Sequence, residues 1–356
     1  MKRYILPLLA TFLAWICALQ GIEFLQNSEP VKKIVTSTKQ LYLQEYPGAW
    51  NPSIVKFRDG YLLTFRWAPN RIMEPWVSHI GIVLLNKTFD PISKPELLDT
   101  RVYNGATPSQ AEDARIMCMG DKLYLFYNDN MDLIFPSHWE RRDMYVAELI
   151  CKDDEFELSQ PMRLRHKTKY RDRPWQKNWT PFEWKDKLLL SYSINPHEII
   201  VPDLDTGICA PFNDKKSLIP QDSWLFGVWE YDSLRGGTPA QLVDGEYLAF
   251  FHSGIITKTA ASEHKDIWHY FMGAYTFSAE PPFVITKASQ EPIDATGFYT
   301  YSSYSKRVIY PGGFIHDGSN IYLAYGKDDS EIWIATLDLA ELKNSMVKIK
   351  TTIPEK

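Results

Sequence analysis

The chain has 356 residues, 45% hydrophobic and 14% aromatic, with 39 Lys and Arg against 44 Asp and Glu for a formal charge of −5. That content can bury a sizeable core, and the aromatics suit pleated, half-buried strands. The charge is spread without a long basic run, which removes the electrostatic footprint of a nucleic-acid binder.

In chain order, Lys2 and Arg3 precede an apolar run from Tyr4 to Ile22 interrupted only by Pro7, Thr11, Gln20 and Gly21. This is about the length of a membrane span, and Ala18-Leu19-Gln20-Gly21 is a poor cleavage site. The run reads as a secretory signal peptide or an uncleaved membrane anchor with Lys2 and Arg3 on the cytoplasmic side, and the body is expected to be exported or membrane-anchored. Cys17 lies in this run and makes no lipoprotein site, because Ile16 stands where a small residue is needed. Residues 23–40 carry no periodicity and read as a spacer, 41–340 as the catalytic domain, and 341–356 as a C-terminal tail. Cys118, Cys151 and Cys209 show no metal spacing, so mostly buried free thiols with at most one bridge are expected.

The body repeats one outline five times: a polar opening, an apolar strand, a Gly/Asp turn and an aromatic-rich strand. The copies run Asn51–Arg66, Gln110–Asn130, Lys177–Tyr192, Gly236–His252 and Tyr310–Tyr325, each a β-hairpin signal. Their turns lie roughly 60 to 70 residues apart, room for one four-stranded sheet plus loops, and predict an all-β chain folded as a five-bladed β-propeller. In such a ring the openings of the innermost strands converge on a central funnel. Those openings carry Asn51, Glu112 with Asp113, Lys177 with Asn178, Arg235 and Tyr310. Polar residues also open strands simply because turns are polar; five convergent positions favour a site.

Between the first hairpin and the strand expected over His79–Leu85 lies a Pro- and aromatic-rich loop, Trp67 to Trp76. The most basic stretch, Arg163 to Arg173, is either a solvated loop or a rim segment for an anionic ligand.

The succession Asn51-Pro52, Phe65-Arg66, Glu112-Asp113-Ala-Arg115, Lys177-Asn178, Asp244 to His252, Tyr270 to Ala274 and Tyr325-Gly-Lys-Asp-Asp329 resembles glycoside hydrolase family 130, in order and over nearly the whole body. The resemblance implies a five-bladed propeller acting on β-mannosides, by phosphorolysis in many members. It implies Asp113 as catalytic acid, protonating the glycosidic oxygen through a sugar hydroxyl, with Asn51, Arg66 and Asp329 contacting the sugar. Glu112 and Asn178, at the same strand openings, are expected to line the substrate subsite. Lys177, His252 and Tyr270 match the family's phosphate binders; the family's arginine in that cluster corresponds to one of Arg163, Arg165, Arg171 or Arg173. Ala114 replaces a usual Pro, Arg235-Gly-Gly-Thr-Pro replaces a Gly/Pro-rich loop, and an insertion around Ile255 to Asp266 separates His252 from Tyr270.

Inverting hydrolysis needs an acid and a base carboxylate roughly 6.5 to 9.5 Å apart, whereas attack by phosphate needs the acid and cations that hold the phosphate. The carboxylates available as a base are Glu183, Glu198 and Glu230. No metal and no cofactor is expected, inorganic phosphate being a possible co-substrate, and the partner is an oligosaccharide or glycan. Export favours a glycosidase or a transferase over a phosphorylase, whose sugar phosphate is useful mainly in the cytosol. Three readings follow: a mannoside phosphorylase or hydrolase, a membrane-anchored glycosyltransferase on the same propeller, and a non-catalytic carbohydrate-binding propeller.

Overall fold

In the computed structural model the described residues are 33–70, 77–101, 109–130, 142–152, 155–169, 175–212, 228–258, 264–299 and 306–349. The segment Tyr4–Ile22, the loop residues 71–76, and Arg171 and Arg173 lie outside them. Among the described residues no helix is long and apolar enough to cross a membrane.

All five expected hairpins form. They pair Trp50–Phe57 with Gly60–Trp67, Glu112–Met119 with Lys122–Asp129, Thr180–Trp184 with Lys187–Ile194, Gln241–Val243 with Glu246–Thr257, and Ile309–Asp317 with Asn320–Lys327. Each has a two-residue turn whose first residue has positive φ: Arg58 (51°), Gly120 (60°), Lys185 (50°), Asp244 (51°) and Gly318 (60°). Two-residue turns with that sign match the right-handed twist of the flanking strands. The local turn chemistry therefore fixes the register of each hairpin.

Each hairpin adds outer strands. His79–Leu85 lies beside the first, Asp143–Lys152 beside the second, His197–Pro202 beside the third, Ile267–Ser278 beside the fourth and Glu331–Asp338 beside the fifth. The central strands are continuous apolar runs because both of their faces are buried. Successive residues serve opposite interfaces: Leu62 packs with Ile116 and Leu125, whereas Leu63 packs with Ile315 and Ala324. Phe126 packs with Leu190, Leu189 with Ala249, and Phe250 with Leu323. The core is thus five clusters, each between consecutive sheets, the fifth sheet meeting the first. The result is a nearly closed, barrel-like all-β arrangement, and a cavity of 580 Å³ near the hairpin turns is lined from all five first strands or their approaches, including Ile54, Ile116, Glu183, Gln241 and Phe314.

Three expectations need correction. Val35–Leu41, placed in the spacer, is a strand paired with Glu331–Asp338. Its sequence, Val-Thr-Ser-Thr-Lys-Gln-Leu, is polar because it is an edge strand held by main-chain hydrogen bonds, with only Val35 and Leu41 buried. Residues 341–348, placed in the tail, complete the helix Leu339–Ser345, capped by Asp338, and the strand Met346–Lys348 paired with Ile285–Ser289. The second and third sheets are not separate: Met162–His166 and Ile208–Pro211 pair in parallel and join them. The three described cysteines are free, but only Cys209 is buried, and burial pushes its thiol up to about 12.

Candidate active site

The site lies at the openings of the first strands, at the end away from the hairpin turns. Asn51, Asp113 and Asn178 occupy corresponding places in three sheets, and all three have left-handed backbone, with φ of 47°, 56° and 63°. Asn and Asp tolerate this region better than other residues with a Cβ. The ladder slips between Trp50 and Ser53 and between Glu112 and Arg115, so that two residues of one strand oppose one of its partner. Such bulges re-aim a side chain. Asn51 and Asp113 are thereby brought together: Asn51 Nδ2 donates to Asp113 Oδ1 at 2.9 Å. Gly326 makes room for this contact, since a Cβ there would lie 2.2 Å from Asn51 Oδ1.

Arg66 spans the carboxylate pair, donating from Nη2 to Glu112 Oε1 at 2.7 Å and from Nη1 to Asp113 Oδ1 at 3.3 Å. Its Nε donates to Ser78 Oγ, and its guanidinium stacks 4.8 Å over Trp50. Burial opposes the Arg66 charge, but Glu112, Asp113 and Asp329 together hold it protonated. Asp329, itself at φ 54°, is therefore close enough to share the cluster. Asp113 Oδ2 accepts no hydrogen bond among the described residues.

Glu112 is buried among cations. Its Oε1 also meets Arg142 Nη2 at 3.2 Å, and its Oε2 accepts from Lys177 Nζ at 2.8 Å. Burial alone would raise this carboxyl; Arg66, Lys177 and Arg142 outweigh it and hold it at about 2. Lys177 also lies 5.1 Å over the Trp175 ring. Behind this group sits Asp129, 1% exposed, whose Oδ1 accepts from the Gln110 and Asn130 amides. Burial pushes Asp129 up to about 7, against the opposing pull of Arg142 and those amides.

Arg115 is the second hub and is fully buried. It donates to Gly237 O (2.6 Å), Gly236 O (2.8 Å), Tyr310 Oη (2.7 Å), Asn178 Oδ1 (3.1 Å) and Asp113 O (3.1 Å). One cation therefore ties together four strand openings through dipoles. Beside it His252 packs against Tyr310 in a tilted arrangement with ring centroids 4.8 Å apart. Burial, reinforced by Arg235 and Arg115, pushes His252 well below the usual imidazole range, so it is neutral. Its Nδ1 is buried with no hydrogen-bond partner among the described residues. Tyr270 follows, 6.2 Å from His252, with Arg235 5.7 Å over its ring.

Residue reasoning thus named positions that do meet: Asn51, Arg66, Glu112, Asp113 and Lys177 in one hydrogen-bonded group, with Asp329 in its field, and Asn178, His252 and Tyr270 around Arg115. Of the arginines in the basic stretch, Arg171 and Arg173 lie outside the described residues, and the two described ones have other partners. Arg163 is paired with Asp143, and Arg165 donates to Thr206 O. Besides Arg66, the described arginines brought to the site are Arg115, Arg142 and Arg235. Arg142 follows Arg141 at a strand opening, a signal as visible as that at Lys177. Of the carboxylates considered as a hydrolytic base, Glu183 lines the cavity near the hairpin turns, Glu198 is tied to His166 and Lys169, and Glu230 is exposed. Among the described residues no group of three or more His, Cys, Asp or Glu is placed to hold a metal ion.

No protein-family model matches the chain, and no curated protein matches it in sequence. Solved structures do match over most of its length. A glycosyl hydrolase from Bacteroides ovatus covers 92% of this chain and 95% of its own at 15% identity and TM-score 0.57. The β-1,2-mannobiose phosphorylase of Listeria innocua covers 88% and 94% at 14% identity and 0.55. A GDP-Man-dependent mannosyltransferase of Leishmania mexicana covers 90% and 94% at 12% identity and 0.52. The chain shares the fold of these carbohydrate-active proteins.

Proposed function

We propose that the protein is a glycan-active enzyme built as a five-bladed β-propeller, and that it moves a β-mannosyl residue between a glycan and phosphate with inversion, Asp113 being the general acid. The observation that carries this reading is the charge around Asp113. Arg66, Arg115, Arg142, Lys177 and Arg235 surround three carboxylates, Glu112, Asp113 and Asp329, with Asp129 half protonated near neutrality. Such an excess suits an anionic reactant, and charge-assisted hydrogen bonds would hold it. Neutral His252, whose buried Nδ1 has no partner among the described residues, supplies a further polar contact.

In the forward direction a phosphate oxygen forms the bond to C1 as the glycosidic C1–O bond breaks, and the leaving oxygen takes the electron pair. The proton from Asp113 Oδ2, the oxygen not engaged by Asn51 or Arg66, reaches that oxygen directly or through a sugar hydroxyl. The product is an α-mannosyl phosphate. Hydrolysis would require a base carboxylate opposite Asp113; Glu183 lies by the cavity near the hairpin turns, Glu198 is tied to His166 and Lys169, and Glu230 is exposed. We read residues 4–22 as directing export or anchoring; that location by itself favours a glycosidase or a transferase, and the cations around Asp113 are the reason phosphate is nevertheless proposed as the acceptor.

The test is release of mannose 1-phosphate from β-linked mannobiose by the full chain with and without phosphate. Phosphate-dependent release that disappears in Asp113→Asn supports the reading. Release of free mannose independent of phosphate would make the protein a hydrolase, and mannoside binding without any turnover would make it a binding module.

A further inference from the structure

The pairing of the second and third strands of the fourth sheet, which carries His252, is longer than its counterparts in the other four. Glu246–Thr257 and Ile267–Ser278 pair over twelve residues each, so the insertion at 255–266 begins as continued strand, through Thr257. His252 opposes Met272, Gly254 opposes Tyr270 and Ile256 opposes Trp268. Directly opposed residues share a face, so the face that is core at Phe250 and Met272 runs outward through His252 and Tyr270 to Trp268. Exposure rises along it, from 4% at His252 to 56% at Ile256, and Tyr270 and Trp268 are both half-buried.

This face is a ladder of rings. Centroids are 4.8 Å apart from Tyr310 to His252, 6.2 Å from His252 to Tyr270 and 5.8 Å from Tyr270 to Trp268. Tyr270 lies flat on Gly254, whose absent Cβ would stand 3.1 Å from the ring. Arg235 covers Tyr270 and has no carboxylate partner among the described residues. Cation and rings therefore alternate from the anion-holding part of the site outward.

Inorganic phosphate ends at its own oxygens and needs no platform beyond them. In an inverting reaction the phosphate and the sugar chain lie on opposite sides of C1, so what lies beyond the phosphate is not the glycan. A nucleoside diphosphate mannose is an α-mannosyl phosphate extended at that phosphate, and its base is a planar π-system that stacks on aromatic side chains. The geometry points to Trp268 and Tyr270, with Arg235 over the Tyr270 ring, as the platform for the nucleoside diphosphate part of a mannosyl donor. This rests on the reading of Asp113 and its surrounding cations as a mannosyl-phosphate site, and it makes sugar-nucleotide-dependent transfer an activity of the same centre.

Titration calorimetry of the full chain with inorganic phosphate, mannose 1-phosphate, GDP, UDP and β-mannotriose tests it. At least one diphosphate should bind about tenfold or more tighter than mannose 1-phosphate, the margin a stacked base supplies. Trp268→Ala should remove that margin while leaving mannose 1-phosphate within about twofold, and Trp268→Phe should keep most of it. Because Trp268 is partly exposed, unchanged affinity for mannose 1-phosphate also reports an intact fold. No diphosphate margin in the wild type, a margin that survives Trp268→Ala, or a loss in Trp268→Ala confined to mannotriose would overturn the platform. If mannose 1-phosphate binds and Asp113-dependent turnover persists without a diphosphate margin, only the platform falls. If none of the phosphate-bearing probes binds, the anion reading falls with it.

Discussion

Asn51 and Asp113, 62 positions apart, hydrogen-bond at 2.9 Å from the same bulged position of neighbouring sheets, each with left-handed backbone. The contact holds one carboxylate oxygen in place with an uncharged donor, while Arg66 reaches the same oxygen from the second strand of the first hairpin. The other oxygen accepts no hydrogen bond among the described residues.

Asp113→Asn keeps an acceptor for Asn51 and Arg66 and removes the transferable proton. Turnover should fall by about 10² to 10⁴, the usual cost of losing a general acid, with mannoside affinity and melting temperature nearly unchanged. Retained turnover would remove Asp113 from the chemistry.

Gly326→Ala tests the seat of Asn51. A Cβ at 2.2 Å from Asn51 Oδ1 and 2.7 Å from its backbone nitrogen must displace Asn51. Overpacking of this kind costs about 1 to 3 kcal/mol, and kcat should fall as the Asn51–Asp113 bond is lost. A variant with wild-type stability and rate would show that the strand shifts without consequence.

Arg115→Lys should destabilise by about 3 kcal/mol or more in denaturant titrations. An ammonium cannot reach the carbonyls of Gly236 and Gly237, Asn178 and Tyr310 at once, and each buried group left unsatisfied costs about 1 to 3 kcal/mol. Wild-type stability in this variant would mean that the strand openings do not depend on Arg115.

Two carboxyls give opposite pH signatures. Glu112 is held at about 2 in the fold, so its contribution is present above its unfolded value of 4.5 and is lost as pH falls towards 2. Asp129 is raised to about 7 from 3.8, so its folded state favours the proton, and its contribution fades as pH rises through 7. Asp129→Asn should therefore flatten the decline in stability between pH 4 and 8 and be more stable than the wild type at pH 8. Parallel stability–pH curves for the two proteins would contradict the buried position of Asp129.

Sequence by itself determined the five hairpins, because their information is local: two-residue turns built on Gly, Asp or a neighbouring polar residue, flanked by apolar runs that are buried on both faces. It also marked residues that the fold gathers, since Asn51, Asp113, Lys177 and Asn178 stand out as polar residues at the openings of apolar strands. Tertiary structure alone decided what those residues do to one another. Glu112 takes cations from strands and loops far apart in the chain, Arg66, Arg142 and Lys177, and no spacing announces that triple pairing. Arg115, adjacent in sequence to the carboxylate pair, bonds instead to carbonyls more than 120 positions away. Val35–Leu41 has no apolar period to betray it, because an edge strand is held through its main chain, and only the arrival of Glu331–Asp338 beside it makes it part of a sheet. Turn chemistry and alternation act within a few residues and can be read along the chain, whereas charge pairing and edge pairing depend on which strands the closed arrangement brings side by side.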